Sequence, residues 1–443
     1  MKKLLSFLFA FLLVFTMVAC EADSTQSVAD SEESIENESS ENKEEAMQPI
    51  YPEKENVVLD KQYFSGSGIS FPDYLWQTPE SERASEYDRP EYGAEGYFIK
   101  SVPYNDEATN VFVYVGLPKD ASAEAPVPGV ILVHGGGGTA FPDWVKMWTE
   151  RGYAAISVDT EGRVPTKDAS ATVVDVAQTS PKHHGPTNPQ FADSHMPVES
   201  QWMYHAVSAT IAAHSFLKSF EQVDSAKIGI TGISWGSVVV SNTVCYDDRL
   251  AFCAPVYGGM AMEGTTGICG QVFNRYPKGA TLWNDVNFLA NCRTPLLFVN
   301  WNEDDYFAID ATSRCASTAP YGNMVLIDKL YHGHLPAMKV KEIFTFADNI
   351  CKGSEACLPQ IEVYPSFDFK LVILNTKRSD VTYGYLYTTS DSVISKNTAW
   401  ESSLVLVEKG KITFELGDNV KAFYITVTDS LGVSSTTPVA FAE

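Results

Sequence analysis

The sequence is short of positive charge: 32 Lys and Arg stand against 56 Asp and Glu in 443 residues, a formal charge of −24. A surface that gathers phosphates needs clustered Lys and Arg, so nucleic acid is excluded as a partner. Long apolar runs are also missing. The run from Leu4 to Phe15 is broken by Ser6 and falls short of the ~20 residues that a bilayer-spanning helix needs. The eight cysteines have no repeating ligand spacing, which argues against a zinc site and against a full disulfide framework. The closest pair, Cys351 and Cys357, could bridge a short loop; the others read as buried small apolar residues.

The first twenty residues have the layout of an export signal, with Lys2 and Lys3, the apolar run, and then Met17-Val18-Ala19-Cys20. A small residue before a single cysteine resembles the lipobox of bacterial lipoproteins. That resemblance implies that Cys20 is acylated and anchors an extracytoplasmic protein to the bacterial membrane. Residues 21–60 carry thirteen acidic side chains against Lys43 and Lys54, which is −11 of the total charge. With little to bury and much to repel, this stretch is expected to be a disordered, solvated tether.

The remaining residues exceed the usual size of one domain, and two are expected, at 61–357 and 358–443. In the first, apolar runs at 127–133, 154–158, 227–231, 251–256, 295–299 and 324–327 read as strands. They alternate with helical spacing at 140–152, 201–220 and 237–245. Repeated strand-helix units with apolar strands imply α/β class: a doubly wound, mostly parallel sheet covered on both faces. Residues 94–102 and 111–117 alternate better and fit antiparallel edge strands. Beyond Cys357 the helical pattern stops. Short alternating runs at 361–364, 370–375, 382–388, 402–407, 411–415 and 422–428 predict a small β-sandwich, immunoglobulin- or fibronectin-like by fold analogy.

Open α/β sheets place their chemistry at loops after the strands. Gly232-Ile233-Ser234-Trp235-Gly236 follows a strand and opens a helix, so its glycines allow a tight turn that exposes Ser234 as a nucleophile. A serine hydroxyl needs a base, and a tetrahedral intermediate needs donors aimed at its oxyanion. His134 and the glycines 135–138 follow an early core strand and lack a Gly-Lys-Ser/Thr ending, which weakens a phosphate-loop reading. Backbone N–H groups at Gly136 and Gly137, together with that of Trp235, are the expected oxyanion donors. Downstream, Glu303, Asp304 and Asp305 follow one strand, and His332 and His334 follow the next, in the chain order nucleophile, acid, histidine. From these, Asp304 and His332 are taken to complete a triad with Ser234.

From about Val127 to Cys351 these motifs resemble the α/β-hydrolases, and among them the acetyl xylan esterase-like and dienelactone hydrolase-like branch. The resemblance rests on His134 to Gly138 with Thr139-Ala140-Phe141, Arg151-Gly-Tyr-Ala-Ala155, the Ser234 elbow, Asp247 to Leu250, Pro255 to Gly258, and His332-Gly333-His334. It implies a Val-Asn-Gly-x-x-Asp pattern that lands on Asp304, with Trp301 in the glycine's place. It also points to the first histidine of the pair. The chain departs from the branch at Trp235, where glutamine is usual, and at Ser237, where glycine is common.

Segments 160–199 and 258–293 are long and irregular for connections, and are expected to form pocket walls or a lid. His183 and His184 fall in the first, but adjacent loop histidines rarely make a metal site, and neither a metal nor another cofactor is expected. The expected activity is that of a serine carboxylesterase, a deacetylase of O-acylated sugars or glycans. A serine peptidase of the prolyl-oligopeptidase branch and a noncatalytic glycan-binding lipoprotein are the alternatives.

Overall fold

The structure, a computed structural model, describes residues 68–166, 177–261, 263–365, 371–376 and 380–442. The expected signal peptide, the Cys20 anchor and the tether at 21–60 lie outside the described residues. The chain enters its main sheet through β1 (Ser81–Arg83), β2 (Glu95–Lys100) and β3 (Asn110–Gly116), paired antiparallel. β4 (Val127–Val133), α1 (Pro142–Thr149) and β5 (Ala154–Val158) follow, and β6 (Arg163–Pro165) pairs with β7 (Ala177–Thr179) apart from that sheet. Next come α2 (Trp202–Leu217), β8 (Val223–Ile233), α3 (Trp235–Tyr246) and β9 (Cys253–Val256). Three short helices, α4 (Gly267–Arg275), α5 (Pro277–Trp283) and α6 (Val286–Leu289), precede β10 (Leu296–Asn300), α7 (Ile309–Thr318), β11 (Gly322–Leu326), α8 (His334–Met338) and α9 (Lys341–Lys352).

The strands run in the order β1-β2-β3-β5-β4-β8-β9-β10-β11, and from β5 onward every neighbour is parallel. This is the doubly wound sheet with an antiparallel edge that the sequence pattern predicts. Its central strands are buried on both faces, which is why Val130 to Val133 and Leu296 to Val299 read as unbroken apolar runs. The strand order reverses around β4, with β5 on one side and β8 on the other. Val133 pairs with Gly232, and Ile233 with Val256, so the loops leaving β4 and β8 emerge side by side. That crevice is where an open α/β sheet receives its ligand.

Some boundaries differ from the expectation. β8 begins at Val223 rather than at 227 because Val127 pairs with Val223 before a register shift; the charged residues between hid the continuation. α3 starts at Trp235, directly behind Ser234. Segment 258–293 is largely helical. Cys351 and Cys357 are both buried thiols and are not joined as a disulfide. Cys351 packs into the core on α9, where burial pushes its thiol up to about 12.

All sixteen residues of α2 are buried, so its polar side chains need internal partners. Thr210 donates to the Ala206 carbonyl, and His214 Nδ1 lies 2.9 Å from Asp247, whose carboxyl the adjoining Arg249 and His214 hold far below its ordinary value despite burial. His205 bonds the Glu199 carbonyl at 2.9 Å, and burial lowers its pKa to about 4. Unfolded, the same imidazole would bind a proton near pH 6.5, so between 6.5 and 4 the unfolded chain holds the extra proton and the native state loses ground as pH falls. The melting temperature of wild type relative to His205→Gln is therefore expected to drop as pH is lowered from 7 to 4. Parallel melting curves across that range would contradict it.

The C-terminal strands are β12 (Ile361–Pro365), β13 (Leu371–Thr376), β14 (Tyr383–Thr389), β15 (Glu401–Leu406), β16 (Lys411–Glu415), β17 (Ala422–Thr428), β18 (Ser434–Thr436) and β19 (Ala440–Phe441). They form two antiparallel sheets, β12-β13-β16 and β15-β14-β17-β18, with β19 on β17. Val381, Leu386, Ile412, Ile425 and Val427 fill a core of their own, which is the small β-sandwich expected. It docks on the exposed edge of the main sheet: the Leu326 N–H donates to Thr436 Oγ1 at 3.0 Å, and the Val439 N–H donates to Ser313 Oγ at 2.7 Å. Covering β11 in this way removes an edge that would otherwise be open to strand addition.

Candidate active site

Ser234 sits at φ 55°, ψ −119°, a backbone region that an L-residue rarely occupies and that stores strain. Both elbow glycines are sterically required. A Cβ on Gly232 would lie 2.3 Å from the Gly236 carbonyl oxygen; one on Gly236 would lie 2.3 Å from that of Val133. The strain is held by the Ser234 N–H donating to Val256 O at 2.8 Å, and by Ser237, whose N–H and hydroxyl both donate to Ser234 O, at 2.8 and 2.6 Å. Ser237 thus clamps the turn. It fits because Gly258 opposite has no side chain: a Cβ there would be 1.8 Å from the Ser237 hydroxyl.

The loops after β10 and β11 bring the other two residues to the serine. His332 Nε2 lies 2.9 Å from Ser234 Oγ, and His332 Nδ1 lies 2.7 Å from Asp304 Oδ2. Asp304 is buried and oriented by four donors: the Tyr306 and Phe307 N–H groups on Oδ1, and His332 and the Trp301 indole N–H on Oδ2. Its neighbours turn away, Glu303 into solvent and Asp305 toward an ion pair with Lys396 at 2.8 Å. The acid fixes the His332 tautomer, with Nδ1–H donating to the carboxylate and Nε2 accepting from the serine hydroxyl. Tyr257 and Tyr306 place their rings 4.5 Å from the imidazole and limit its rotation.

His334 occupies a different place. Its Nε2 accepts the Gly135 N–H at 2.9 Å, and burial holds its pKa down to about 4, so it serves the glycine loop as a neutral acceptor. The other loop donors are also assigned. The Gly137 N–H points at the Glu161 carboxylate, 3.2 Å from each oxygen, and the Gly138 N–H donates to the Gly135 carbonyl. Gly137 is therefore corrected as an oxyanion donor: a carboxylate already occupies its N–H. Gly136, exposed at the loop tip, is the glycine whose N–H has no acceptor among the described residues. Trp235 is the first residue of α3, and its N–H is among those with no carbonyl in a preceding turn. The two residues touch, since a Cβ on Gly136 would come within 2.8 Å of the Trp235 ring, which packs edge-on against Phe191 and Trp202.

Sequence reasoning did not single out Glu161 or Arg163. Arg163 donates to the Gly137 carbonyl at 2.7 Å and lies 3.5 Å from Glu161, so the pair grips both sides of that residue's backbone. The signal was a charged pair flanking Gly162, lost within a long connection. His183 and His184 are bonded to the carbonyls of Tyr104 and Gly185, and no His, Cys, Asp and Glu group able to hold a metal occurs among the described residues.

Residues 111–334, slightly more than half of the chain, match the dienelactone hydrolase family. The chain belongs to this family. Among solved structures, this dienelactone hydrolase family member is similar to an acetyl xylan esterase from Paenibacillus sp., at 16% identity and TM-score 0.51, over 68% of this chain and 97% of that one. An acetyl xylan esterase from Thermoanaerobacterium sp. is 12% identical, with TM-score 0.47 over 63% and 93% of the two chains. An acylaminoacyl peptidase from Pyrococcus horikoshii is 17% identical, with TM-score 0.43 over 59% and 43%. At these identities the likeness speaks to the fold. A search of curated proteins finds no match. Fold and family together make the chain an α/β hydrolase.

Proposed function

We propose that Ser234, His332 and Asp304 form the catalytic triad of an exported carboxylesterase that removes acyl groups from O-acylated sugars or glycans. The observation that carries this reading is the unbroken relay from Ser234 Oγ to His332 to the buried Asp304, beside two N–H groups at Gly136 and Trp235. His332 takes the serine proton as Oγ attacks the acyl carbon, and Asp304 steadies the imidazolium that forms. The oxyanion lies toward the Gly136 and Trp235 N–H groups, where the positive end of α3 adds to their effect. The protonated His332 then gives its proton to the departing sugar oxygen. A water activated by the same base releases the acid.

The saccharide class is supported by the resemblance of the motifs to acetyl xylan esterase-like hydrolases. Export and anchoring through Cys20 are supported by the likeness of residues 1–20 to a lipoprotein leader. Wild type and Ser234→Ala should be compared on acetylated oligosaccharides, p-nitrophenyl acetate and a dipeptide amide. Acetate release by wild type alone, with the amide left intact, is the expected result. Equal turnover by the variant would remove Ser234 from the mechanism, and amide cleavage without ester cleavage would favour a peptidase.

A further inference from the structure

Away from the triad, a cavity of 590 Å³ opens between Tyr104 and the segment 180–200. Tyr104, Pro186, Pro189 and Met196 give it apolar faces, and Asp193 and Ser200 give it polar ones. Neither Ser234, Asp304 nor His332 lines it. Its charges are matched from within. The Lys182 ammonium donates to both oxygens of Glu82, at 3.0 and 2.8 Å, and Asp193 accepts the Trp202 N–H at 2.6 Å. His184 Nδ1 bonds the Gly185 carbonyl at 2.6 Å.

A wall with cations already paired and a carboxylate within it does not recruit an anion. C–H faces beside hydroxyl and imidazole groups suit a neutral sugar ring, which offers an apolar face and a rim of hydroxyls. The wall is also tied to the oxyanion loop. His184 lies against Gly162, where a Cβ would come within 2.1 Å of its Nδ1, and Gly162 joins Glu161 to Arg163, the pair that holds Gly137. Asp193 bonds the N–H of Trp202, whose ring meets Trp235 at 5.8 Å.

We propose that this cavity is a second saccharide subsite, holding an unacylated, uncharged sugar unit of the glycan whose ester is cleaved at Ser234. The proposal rests on the esterase reading above, and its test is binding, which needs no turnover. The full chain carrying Ser234→Ala should be titrated by calorimetry with unacylated xylotetraose and cellotetraose, and with tetragalacturonate as a charged control. At least one neutral tetramer is expected to bind, and tetragalacturonate to bind more weakly. Adding Tyr104→Ala, or Thr187→Trp to fill the cavity from its exposed lip, should weaken binding about tenfold. No binding of either neutral tetramer, or equal affinity in all three chains, would overturn the subsite. With Ser234 present, Tyr104→Ala should hydrolyse p-nitrophenyl acetate at the wild-type rate. If neutral tetramers bind as expected but wild type releases no acetate from acylated sugars, the esterase reading falls and with it the link to Ser234, while the cavity stands as a neutral-saccharide site.

Discussion

Asp304→Asn is expected to lower kcat/KM for p-nitrophenyl acetate by about four orders of magnitude, the scale of losing the correct histidine tautomer in a serine triad. The reason lies in the four donors converging on this carboxylate, which itself donates nothing. An asparagine must put its NH2 on one side or the other. Facing His332, it turns Nδ1 into an acceptor, leaves the proton on Nε2, and removes the lone pair that takes the Ser234 proton. Facing Tyr306 and Phe307 instead, it opposes two backbone N–H groups in a buried site, and each buried donor left without a partner costs about 1–3 kcal/mol. The first orientation reverses the tautomer and leaves the Trp301 indole N–H without an acceptor; the second keeps the tautomer but removes the charge that steadies the imidazolium and strands two backbone N–H groups, so the rate loss is larger in the first and the stability loss larger in the second. Asp305→Asn, which changes an exposed ion pair, should stay within about 1 kcal/mol of wild type. Comparable losses in the two variants would contradict the assignment of the acid.

The second large effect is structural. Gly236→Ala would place a methyl 2.3 Å from the Val133 carbonyl oxygen and 2.4 Å from that of His134, backbone atoms at the end of a central strand. Neither can retreat without moving β4, whose residues Val130 to Val133 are fully buried. Because the obstacle is backbone rather than a flexible side chain, the cost should exceed ~3 kcal/mol, beyond the ordinary range for a point substitution. A clear drop in denaturation midpoint with loss of esterase activity is expected, since β4 carries the glycine loop. An unchanged midpoint would show that the elbow has room it is described as lacking.

Much of this was legible in the sequence, and the reasons are local. The Gly-x-Ser-x-Gly elbow and the glycine loop are contiguous motifs bounded by strands, so their meaning survives without coordinates. The sheet was legible because strands buried on both faces are written as apolar runs. What remained ambiguous depended on which way a loop turns. Three consecutive acids and two histidines two residues apart look alike in one dimension. Asp304 is distinguished by the Tyr306 and Phe307 N–H groups that fold back on it, and His334 by the distant Gly135 N–H. The Gly137 assignment failed for a similar reason, because Glu161 reaches it from 24 residues away through a connection without periodic pattern. Trp235 and Ser237 become intelligible only beside Gly136 and Gly258, the glycines that make room for them.

The central claim is that Ser234 is a nucleophile activated by His332. Its most direct test is reaction of the folded chain with a fluorophosphonate, with peptide mass analysis to locate the adduct. One equivalent on Ser234 in wild type is predicted, falling by at least a hundredfold in rate in His332→Gln and staying near the wild-type rate in the exposed-acid control Asp305→Asn. Stoichiometric labelling of another residue, or labelling of Ser234 at an equal rate without His332, would contradict the account.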